Sequence, residues 1–255
     1  MIQSYLKAVL LAFQDFALLG VRAFRNLLTA PRYYDDILTQ MDVIGVGSIP
    51  IVILTGFFTG GVLALQTYRT LQTFGEVSLL GEAVAVGFIL ELGPVLTALV
   101  VAGRNSSGIA SEIGSMLVSE QIDALRALGT DPLRKLVSPR VYATLLMLPV
   151  LTVLADFFGM LGGYLVSVTI ARLTTSEYWS TAYQSLTFRD LTQGLMKPFF
   201  FGVIIALVGC YYGLKTEGGT EGVGRSTTRA VVWAIVLIIV VDFFITRFLI
   251  GINFA

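Results

Sequence analysis

Five long stretches of the chain are apolar enough to cross a lipid bilayer as helices. A spanning helix needs roughly 20 predominantly apolar residues, and no charged residue occurs between Asp42 and Arg69. The other four stretches carry only isolated charges, and we expect the third to follow Ser138-Pro139, because proline is favoured in a first helical turn. The pattern therefore predicts an all-α membrane protein with about five transmembrane helices, at residues 43–68, 83–102, 139–171, 197–214 and 230–250.

The segment before these stretches has the periodicity of an amphipathic helix. Between residues 1 and 28, apolar positions recur at steps of three and four, and Pro31 marks the end of the pattern. Such a helix can lie in the membrane interface, so we predict an interfacial region at residues 1–40. An ordinary packing helix is the alternative. The apolar positions are Leu6, Val9, Leu10, Phe13, Phe16, Ala17, Phe24, Leu27 and Leu28.

The composition agrees with a membrane protein. Of 255 residues, 55% are hydrophobic and 13% are charged, with a mean hydropathy of +0.81, whereas soluble domains carry roughly 25% charged residues. The length suits one domain covering 1–255. The net charge of zero gives no sign of nucleic-acid binding. The chain has no histidine and a single cysteine, Cys210, so we predict no disulfide, no Ser-His triad and no metal site.

The basic residues predict the orientation of the spans. With the N-terminus placed in the cytoplasm, twelve of the Lys and Arg residues lie on the inner side and five on the outer side. Cytoplasmic loops carry the excess of positive charge, so we predict a cytoplasmic N-terminus. Lys197 is counted here with the outer residues, at the boundary of the fourth span.

The connection 103–140 is then the largest cytoplasmic piece and holds a short predicted helix, Ser119–Leu128. Ile122, Leu125 and Leu128 form an apolar stripe, and Gly129 followed by Asp131-Pro132 ends the helix. A helix projecting into the cytoplasm suits docking on a partner. The alternative is a connector lying on the membrane surface.

Two local patterns predict further structure. Thr174 and Glu177 have the spacing of a capping box, which predicts a helix start in the outer loop 172–194. Three G-x-x-x-G pairs lie within the spans and predict close helix packing. These pairs are Gly56 and Gly60, Gly159 and Gly163, and Gly209 and Gly213.

Three carboxylates, Glu91, Asp156 and Asp242, lie inside apolar stretches. An ionised group there costs on the order of 2.5–3.5 kcal/mol, so each should face a partner, a cavity or the bundle interior. A functional role is the first hypothesis, and a structural hydrogen bond to a neighbouring group is the alternative. Glu91 is followed by Leu92, Gly93 and Pro94, and a proline inside a helix frees a carbonyl and can open space beside the carboxylate.

The sequence also contains a near match to a phosphate-binding loop. Gly219 to Ser226 resembles G-x-x-x-x-G-K-[ST], but Arg225 replaces the lysine and no strand precedes the loop, so we reject nucleotide binding there. The segment is interpreted instead as a flexible loop before Ser226-Thr227-Thr228, which we expect to start the fifth span.

An ordered set of motifs resembles the MlaE family, the permeases of MCE-linked phospholipid ABC transporters. The resemblance covers the chain from about residue 40 to its end. Its motifs are ELGPVLTAL at 91–99, AGRNSSGIASEIG at 102–114, EQ at 120–121, DPLR at 131–134, SPR at 138–140 and GVGRSTTRAVV at 222–232.

The resemblance implies a set of partners. They are a second copy of the chain, a dimeric cytoplasmic ATPase that uses ATP and Mg, a periplasmic hexamer of MCE-domain proteins, and in some systems a STAS-domain protein. It places the chain in the bacterial inner membrane with no cofactor of its own. The implied ATPase-coupling residues are Ser119, Glu120, Gln121, Ile122, Asp123, Leu125, Arg126 and Leu128.

The resemblance also implies a lipid cavity at the outer end of span one and along span two. The matching lipid-binding residues are Leu63, Thr70, Leu71, Phe74, Glu91 and Leu92. One position departs from the family pattern, because Leu90 stands where many members have an arginine that could meet a lipid phosphate.

Three functions follow from these observations. The leading hypothesis is a lipid-moving permease driven by a separate ATPase. The alternatives are an intramembrane lipid-modifying enzyme that uses Glu91 or Asp156 as acid or base, and an ion channel lined by the three carboxylates.

Overall fold

The computed structural model describes residues 2–28 and 33–253, and these residues form helices without any β-strand. Eleven α-helices follow one another along the described chain. Their bounds are α1 Ile2–Leu28, α2 Tyr34–Ile44, α3 Ile49–Phe74, α4 Leu80–Gly87, α5 Gly93–Val101, α6 Ser107–Val118, α7 Gln121–Ala127, α8 Ser138–Thr169, α9 Thr175–Ser185, α10 Phe188–Leu214 and α11 Gly219–Asn253.

Short non-α segments join several of these helices without breaking the helical path. Two are 3₁₀ turns, Val46–Ser48 and Val77–Leu79. Three are π-helical: Phe88–Leu92, Ala102–Ser106 and Leu133–Val137. Each π segment carries one of the motifs that resemble the MlaE family, and π-bulges often occur at functional sites.

The prediction of an all-α membrane protein with five spans is confirmed. Among the described residues, five helical stretches are long and apolar enough to cross a membrane. Each is longer than predicted, mainly because helix ends carry polar residues that a hydropathy pattern leaves out. They are Tyr34–Phe74, Val77–Val118, Leu133–Thr169, Phe188–Leu214 and Gly219–Leu249.

The chain divides into two compact units. The first unit comprises the described residues of Met1–Gly45, Ala102–Leu145 and Gly202–Leu237. Its core is aliphatic, and Gly209 and Gly213 let α10 approach the side chains of Ile109 and Ile113 on α6 closely. The core residues are Leu19, Ala23, Ile44, Ile109, Ile113, Ile122, Leu136, Val137, Val141, Ala143, Ala206, Leu207 and Cys210.

The second unit comprises the described residues of Val46–Val101, Leu146–Phe201 and Ile238–Ala255. Here the backbones of α3 and α8 nearly touch at Gly60 and Gly159. A Cβ added at Gly60 would lie 2.0 Å from the Gly159 carbonyl oxygen, which only glycine avoids. Tyr178 of α9 is buried in the unit's core, and its hydroxyl donates to the carbonyl of Met160 at 3.0 Å. The close packing predicted from the G-x-x-x-G pairs is confirmed in both units.

The N-terminal helix is present as α1, with Leu19 and Ala23 buried in the first unit's core and Phe16 packed against Tyr211. Its interfacial position stays a prediction. Residues 29–32 of the predicted region 1–40 lie outside the described residues. So do the side chains of Leu6, Val9, Leu10, Phe13, Leu27 and Leu28.

The capping box predicted at Thr174 and Glu177 is confirmed. The Glu177 backbone N–H donates to the Thr174 hydroxyl at 3.2 Å, and the Glu177 carboxylate accepts from the Thr174 backbone N–H at 2.7 Å. The helix α9 begins at the next residue, Thr175. The whole signal lies within four residues, which explains why the sequence alone reveals it.

The α-helix of the third span begins where it was predicted, since α8 starts at Ser138, but the π segment Leu133–Val137 extends the helical path in front of it. The helical path begins at Pro132, six residues before Ser138. The Asp131 side chain caps it by accepting from the Leu133 backbone N–H at 3.0 Å. Asp131-Pro132 was interpreted only as the end of the preceding helix, although aspartate followed by proline is equally a start signal.

The predicted start of the fifth span was wrong. The helix α11 begins at Gly219, directly after Gly218, and both glycines have positive φ angles of 66° and 90°. Ser226-Thr227-Thr228 lies inside the helix and does not cap it. The hydroxyls of Thr227 and Thr228 donate back to the carbonyls four residues earlier, which hydroxyl side chains do inside helices.

Candidate functional site

The π segment Phe88–Leu92 sets the geometry around Glu91. The Gly93 N–H donates to the Phe88 carbonyl five residues earlier, and Pro94 has no N–H to offer the next carbonyl, that of Ile89. That carbonyl lies against Gly194 of α10, where a Cβ would come within 2.3 Å of its oxygen. The predicted effect of Pro94 is therefore found as a π turn whose freed carbonyl meets a glycine on a neighbouring helix.

Glu91 and Asp242 meet at a buried lysine. The Lys197 ammonium lies 2.6 Å from Glu91 Oε2 and 3.2 Å from Asp242 Oδ1, and the lysine side chain is only 2% exposed. The Thr246 hydroxyl donates to Glu91 Oε1 at 3.2 Å. We call these four residues the Lys197 cluster; they come from the π segment, α10 and α11.

The Lys197 cluster holds two carboxylates and one ammonium, so its ionised form carries one excess negative charge. Desolvating a lysine is costly unless a partner compensates it, which accounts for the two carboxylates beside Lys197. The Glu91 side chain remains 44% exposed, whereas that of Asp242 is 19% exposed. Glu91 is therefore the member of the cluster most open to a ligand.

A pocket of about 200 Å³ opens beside this cluster. Its wall is mainly aliphatic and includes Leu90, the residue that stands where many family members have an arginine. The lining residues are Val86, Gly87, Leu90, Glu91, Gln193, Lys197, Thr246 and Leu249. The site thus combines an apolar wall with a few charged groups, which is typical of ligand pockets.

Sequence reasoning missed Lys197 as a site residue. It was interpreted as the outer boundary of the fourth span, whereas the structure buries it inside α10. A usable signal was present, since two carboxylates in apolar stretches require a nearby cation and Lys197 is one of few basic residues within the apolar stretches.

The third carboxylate, Asp156, does not join this cluster. Its Oδ1 atom is buried on α8 and has no hydrogen-bond partner among the described residues. A Cβ at residue 93 would lie 1.8 Å from that atom, so the Asp156 carboxylate packs directly against Gly93. Only two of the three predicted intramembrane carboxylates therefore share a site.

The other predicted lipid-binding residues do not line this pocket. Leu63 and Leu71 pack against the second unit's core, and Leu92 is half-buried. Thr70 is exposed, and Phe74 is 75% exposed at the end of α3. Their contact with lipid stays a prediction.

The predicted coupling helix is present as α7, but its apolar stripe turns largely inward. Ile122 is fully buried in the first unit's core and Leu125 packs against it, so of the stripe only Leu128 is well exposed. The exposed residues of the predicted docking set are Ser119, Glu120, Gln121, Asp123, Arg126 and Leu128. Docking through them stays a prediction.

Comparison with known proteins decides the family. The model described as Permease MlaE matches residues 37–248. The chain belongs to the MlaE permease family. A relative from Haemophilus influenzae, the intermembrane phospholipid transport system permease protein MlaE, is 35% identical over 96% of this chain and 95% of its own.

Other relatives agree. A probable ABC transporter permease protein of Rickettsia typhi is 41% identical over 92% of this chain and 90% of its own length. The chloroplastic protein TRIGALACTOSYLDIACYLGLYCEROL 1 of Arabidopsis thaliana is 37% identical over 88% of this chain and 64% of its own. This MlaE-family permease is thus a multi-pass membrane subunit of an ABC transporter, which implies an ATPase partner. The chain itself is not an enzyme.

Proposed function

We propose that this MlaE-family permease moves phospholipid between the bacterial inner membrane and a periplasmic MCE-domain partner, driven by ATP hydrolysis in a separate subunit. The name of the Haemophilus relative, at 35% identity over nearly the full length of both chains, supports the phospholipid substrate.

The observation that carries the proposal is the Lys197 cluster beside an apolar pocket. A phospholipid presents acyl chains and a charged headgroup, and the pocket offers Val86, Leu90 and Leu249 together with Glu91 and Lys197. Because Leu90 contributes no charge, the polar contact at this point would come from the cluster itself.

The family resemblance supports the assembly that we propose around this site. Two copies of the chain would form the permease, each with its N-terminus in the cytoplasm and α7 on one subunit of an ATPase dimer. A hexamer of MCE-domain proteins would cover the periplasmic side, and a STAS-domain protein would bind the ATPase. Leu128 suits the role of an ATPase contact better than Leu125, which packs against the chain's own core.

The test is ATP-driven lipid transfer from proteoliposomes that contain the assembled transporter. We expect Glu91→Gln to reduce transfer at least about tenfold, since it removes one charge-assisted contact while the Lys197–Asp242 pair remains. Glu221→Gln is the matched control, because this carboxylate is exposed on α11 and, within the described part of the chain, pairs only with Arg225 at 3.7 Å. Assembly with the ATPase is checked by co-purification for both variants.

Three outcomes would contradict the proposal. If Glu91→Gln transferred lipid at the wild-type rate, the Lys197 cluster would have no role in lipid transfer. A sustained ion current from the isolated chain in a planar bilayer would favour the channel. Chemical conversion of lipid by the chain alone, measured by mass spectrometry, would favour an enzyme.

A further inference from the structure

A second pocket lies where α10 ends and α11 begins, and it is rich in hydrogen-bond donors. Lys215 and Thr216 follow α10 directly, while Ser226 and Arg229 lie three residues apart and so on one face of α11. The pocket has a volume of about 520 Å³ and belongs entirely to the first unit. The remaining lining residues are Leu117, Tyr211, Tyr212, Leu214 and Glu217.

Ser226 is the residue that points to a ligand. It is only 8% exposed, and within the described part of the chain its hydroxyl makes no hydrogen bond. The neighbouring hydroxyls of Thr227 and Thr228 differ, since both donate to helix carbonyls, at 2.7 and 3.1 Å. Ser226 lines the pocket, so its hydroxyl, which does not donate to a helix carbonyl, is available to donate to a ligand there.

The positive charge at this pocket comes from Arg229 and Lys215, which differ in whether a carboxylate already pairs with them. Arg229 is exposed and has no ion pair among the described residues, whereas Arg225, one turn earlier, lies 3.7 Å from Glu221. The Lys215 ammonium is held 2.6 Å from Asp15 and 3.1 Å from the Tyr211 hydroxyl, and these hydrogen bonds raise the pKa of Lys215. Within the described part of the chain, Arg229 therefore provides a positive charge that no carboxylate neutralises, while Lys215 stays protonated beside it.

The donor set fits a tetrahedral oxyanion. A guanidinium binds phosphate through two parallel hydrogen bonds, and the Ser226 and Tyr212 hydroxyls can donate to the remaining oxygens. Glu217 also lines the pocket, and its carboxylate disfavours a ligand with two negative charges. A phosphodiester, which carries one charge, fits this combination better than a phosphate monoester.

The position of the pocket identifies the source of the phosphate. Lys215 is the first residue after the span Phe188–Leu214, and the span Gly219–Leu249 begins four residues later. Tyrosines such as Tyr211 and Tyr212 are enriched where spans leave the hydrocarbon, and basic pockets between spans at that level bind lipid headgroups. Gly219–Ser226, the near match to a nucleotide-binding loop, is helical and so cannot wrap around a nucleotide.

We propose that this pocket binds the phosphodiester of a membrane lipid headgroup through Arg229 and Ser226, with Lys215 and Tyr212 as further donors. The site uses none of the residues of the Lys197 cluster, so it does not rest on the transport function proposed above. It would hold a resident lipid at the end of the fourth and fifth spans.

The test measures lipids retained by the purified full-length chain in detergent, by native mass spectrometry. The probes are phosphatidylglycerol and diacylglycerol with the same acyl chains, and inorganic phosphate serves as competitor. We expect Arg229→Gln to release one phosphatidylglycerol per chain and to weaken its binding about tenfold, and Ser226→Ala to weaken it several-fold. Arg225→Gln is the matched control and should retain the lipid, as should Glu91→Gln.

Each alternative result overturns the proposal. Equal losses in Arg225→Gln and Arg229→Gln would indicate general surface charge. Equal retention of diacylglycerol would assign the binding to acyl chains. Displacement of the lipid by inorganic phosphate at equal concentration would make this a free-phosphate site. Unchanged binding in both Ser226→Ala and Arg229→Gln would place the retained lipid elsewhere.

Discussion

Among the described residues, each of the two units buries one basic side chain, and the two cations are neutralised in different ways. In the first unit, Arg140 is 3% exposed and lies 2.7 Å from Glu112, whose side chain is 54% exposed. In the second unit, Lys197 is 2% exposed and lies between two carboxylates. The two cations are equally buried. One carboxylate balances the charge of Arg140, whereas two carboxylates beside Lys197 leave one excess negative charge.

The difference separates a structural ion pair from a candidate binding site. The guanidinium of Arg140 also donates to the Leu136 carbonyl at 2.6 Å within its own helical path, and arginine stays charged in proteins. Lys197 has a flexible stem and a surplus carboxylate beside a pocket. A ligand that drew Glu91 away from Lys197 would still leave the ammonium paired with Asp242. A ligand that drew Glu112 away from Arg140 would leave the guanidinium without a carboxylate.

The strongest test of this contrast removes each cation. We expect Lys197→Met to destabilise the protein by about 3–5 kcal/mol, because it leaves two carboxylates together with no cation. Arg140→Met should cost less, about 1–3 kcal/mol, since the exposed Glu112 can be hydrated and the main loss is of hydrogen bonds. Unfolding in detergent with increasing denaturant measures both.

A rescue variant separates charge from packing in this experiment. Lys197→Met combined with Glu91→Gln and Asp242→Asn should recover most of the lost stability, because no unpaired charge remains. If the triple variant were as unstable as Lys197→Met alone, the loss would come from side-chain shape, and the contrast between the two cations would fail.

Two glycines of the G-x-x-x-G pairs, Gly60 in the second unit and Gly209 in the first, differ in what an added Cβ would meet. In the second unit a Cβ at Gly60 would strike a backbone carbonyl at 2.0 Å, while in the first unit a Cβ at Gly209 would meet the Ile109 side chain at 3.0 Å. We expect Gly60→Ala to cost about 1–3 kcal/mol, since helix backbones must separate. Gly209→Ala should cost under about 1 kcal/mol, because Ile109 and the Ser106 carbonyl, at 3.0 and 3.2 Å, need to move by only a few tenths of an ångström.

The control for this pair is Gly103→Ala, where a Cβ would meet nothing within 4 Å. The same denaturant unfolding measures all three variants. Equal losses for Gly60→Ala and Gly209→Ala would show that backbone contact does not distinguish the two units.

The local and periodic features of this protein could be predicted from sequence. The five spans follow from long runs of apolar residues, and the capping box at Thr174 follows from two residues three positions apart. It was also foreseen that Glu91 and Asp242 would each face a partner, a cavity or the bundle interior, because a carboxylate in an apolar run has few other options. Each of these signals lies within one segment.

The Lys197 cluster could not be predicted in the same way. Its members Glu91 and Lys197 are 106 residues apart, and a single sequence does not show which distant helices pair. The start of α11 failed for another reason: Ser226 and Thr227 suit both a helix start and a back-bonded interior position, and the choice depends on Gly218 and Gly219 adopting positive φ. The inward turn of Ile122 on α7 likewise depends on the core that it meets.

The capping box of α9 is a surface feature, unlike the two buried cations. Two Thr174 groups, its backbone N–H and its hydroxyl, donate to the Glu177 carboxylate and hold the pKa of Glu177 below its usual value. A group with a lowered pKa stabilises the fold above its unfolded-state pKa, and this contribution disappears as the pH falls through the folded-state pKa. Thr174→Ala should cost about 1 kcal/mol. Hydrogen-exchange protection of the first turn of α9 should decline on acidification in the wild type but should be low and constant in Glu177→Gln. An unchanged acid response in Glu177→Gln would assign the titration to another group, and the capping box would then contribute no pH dependence to this unit.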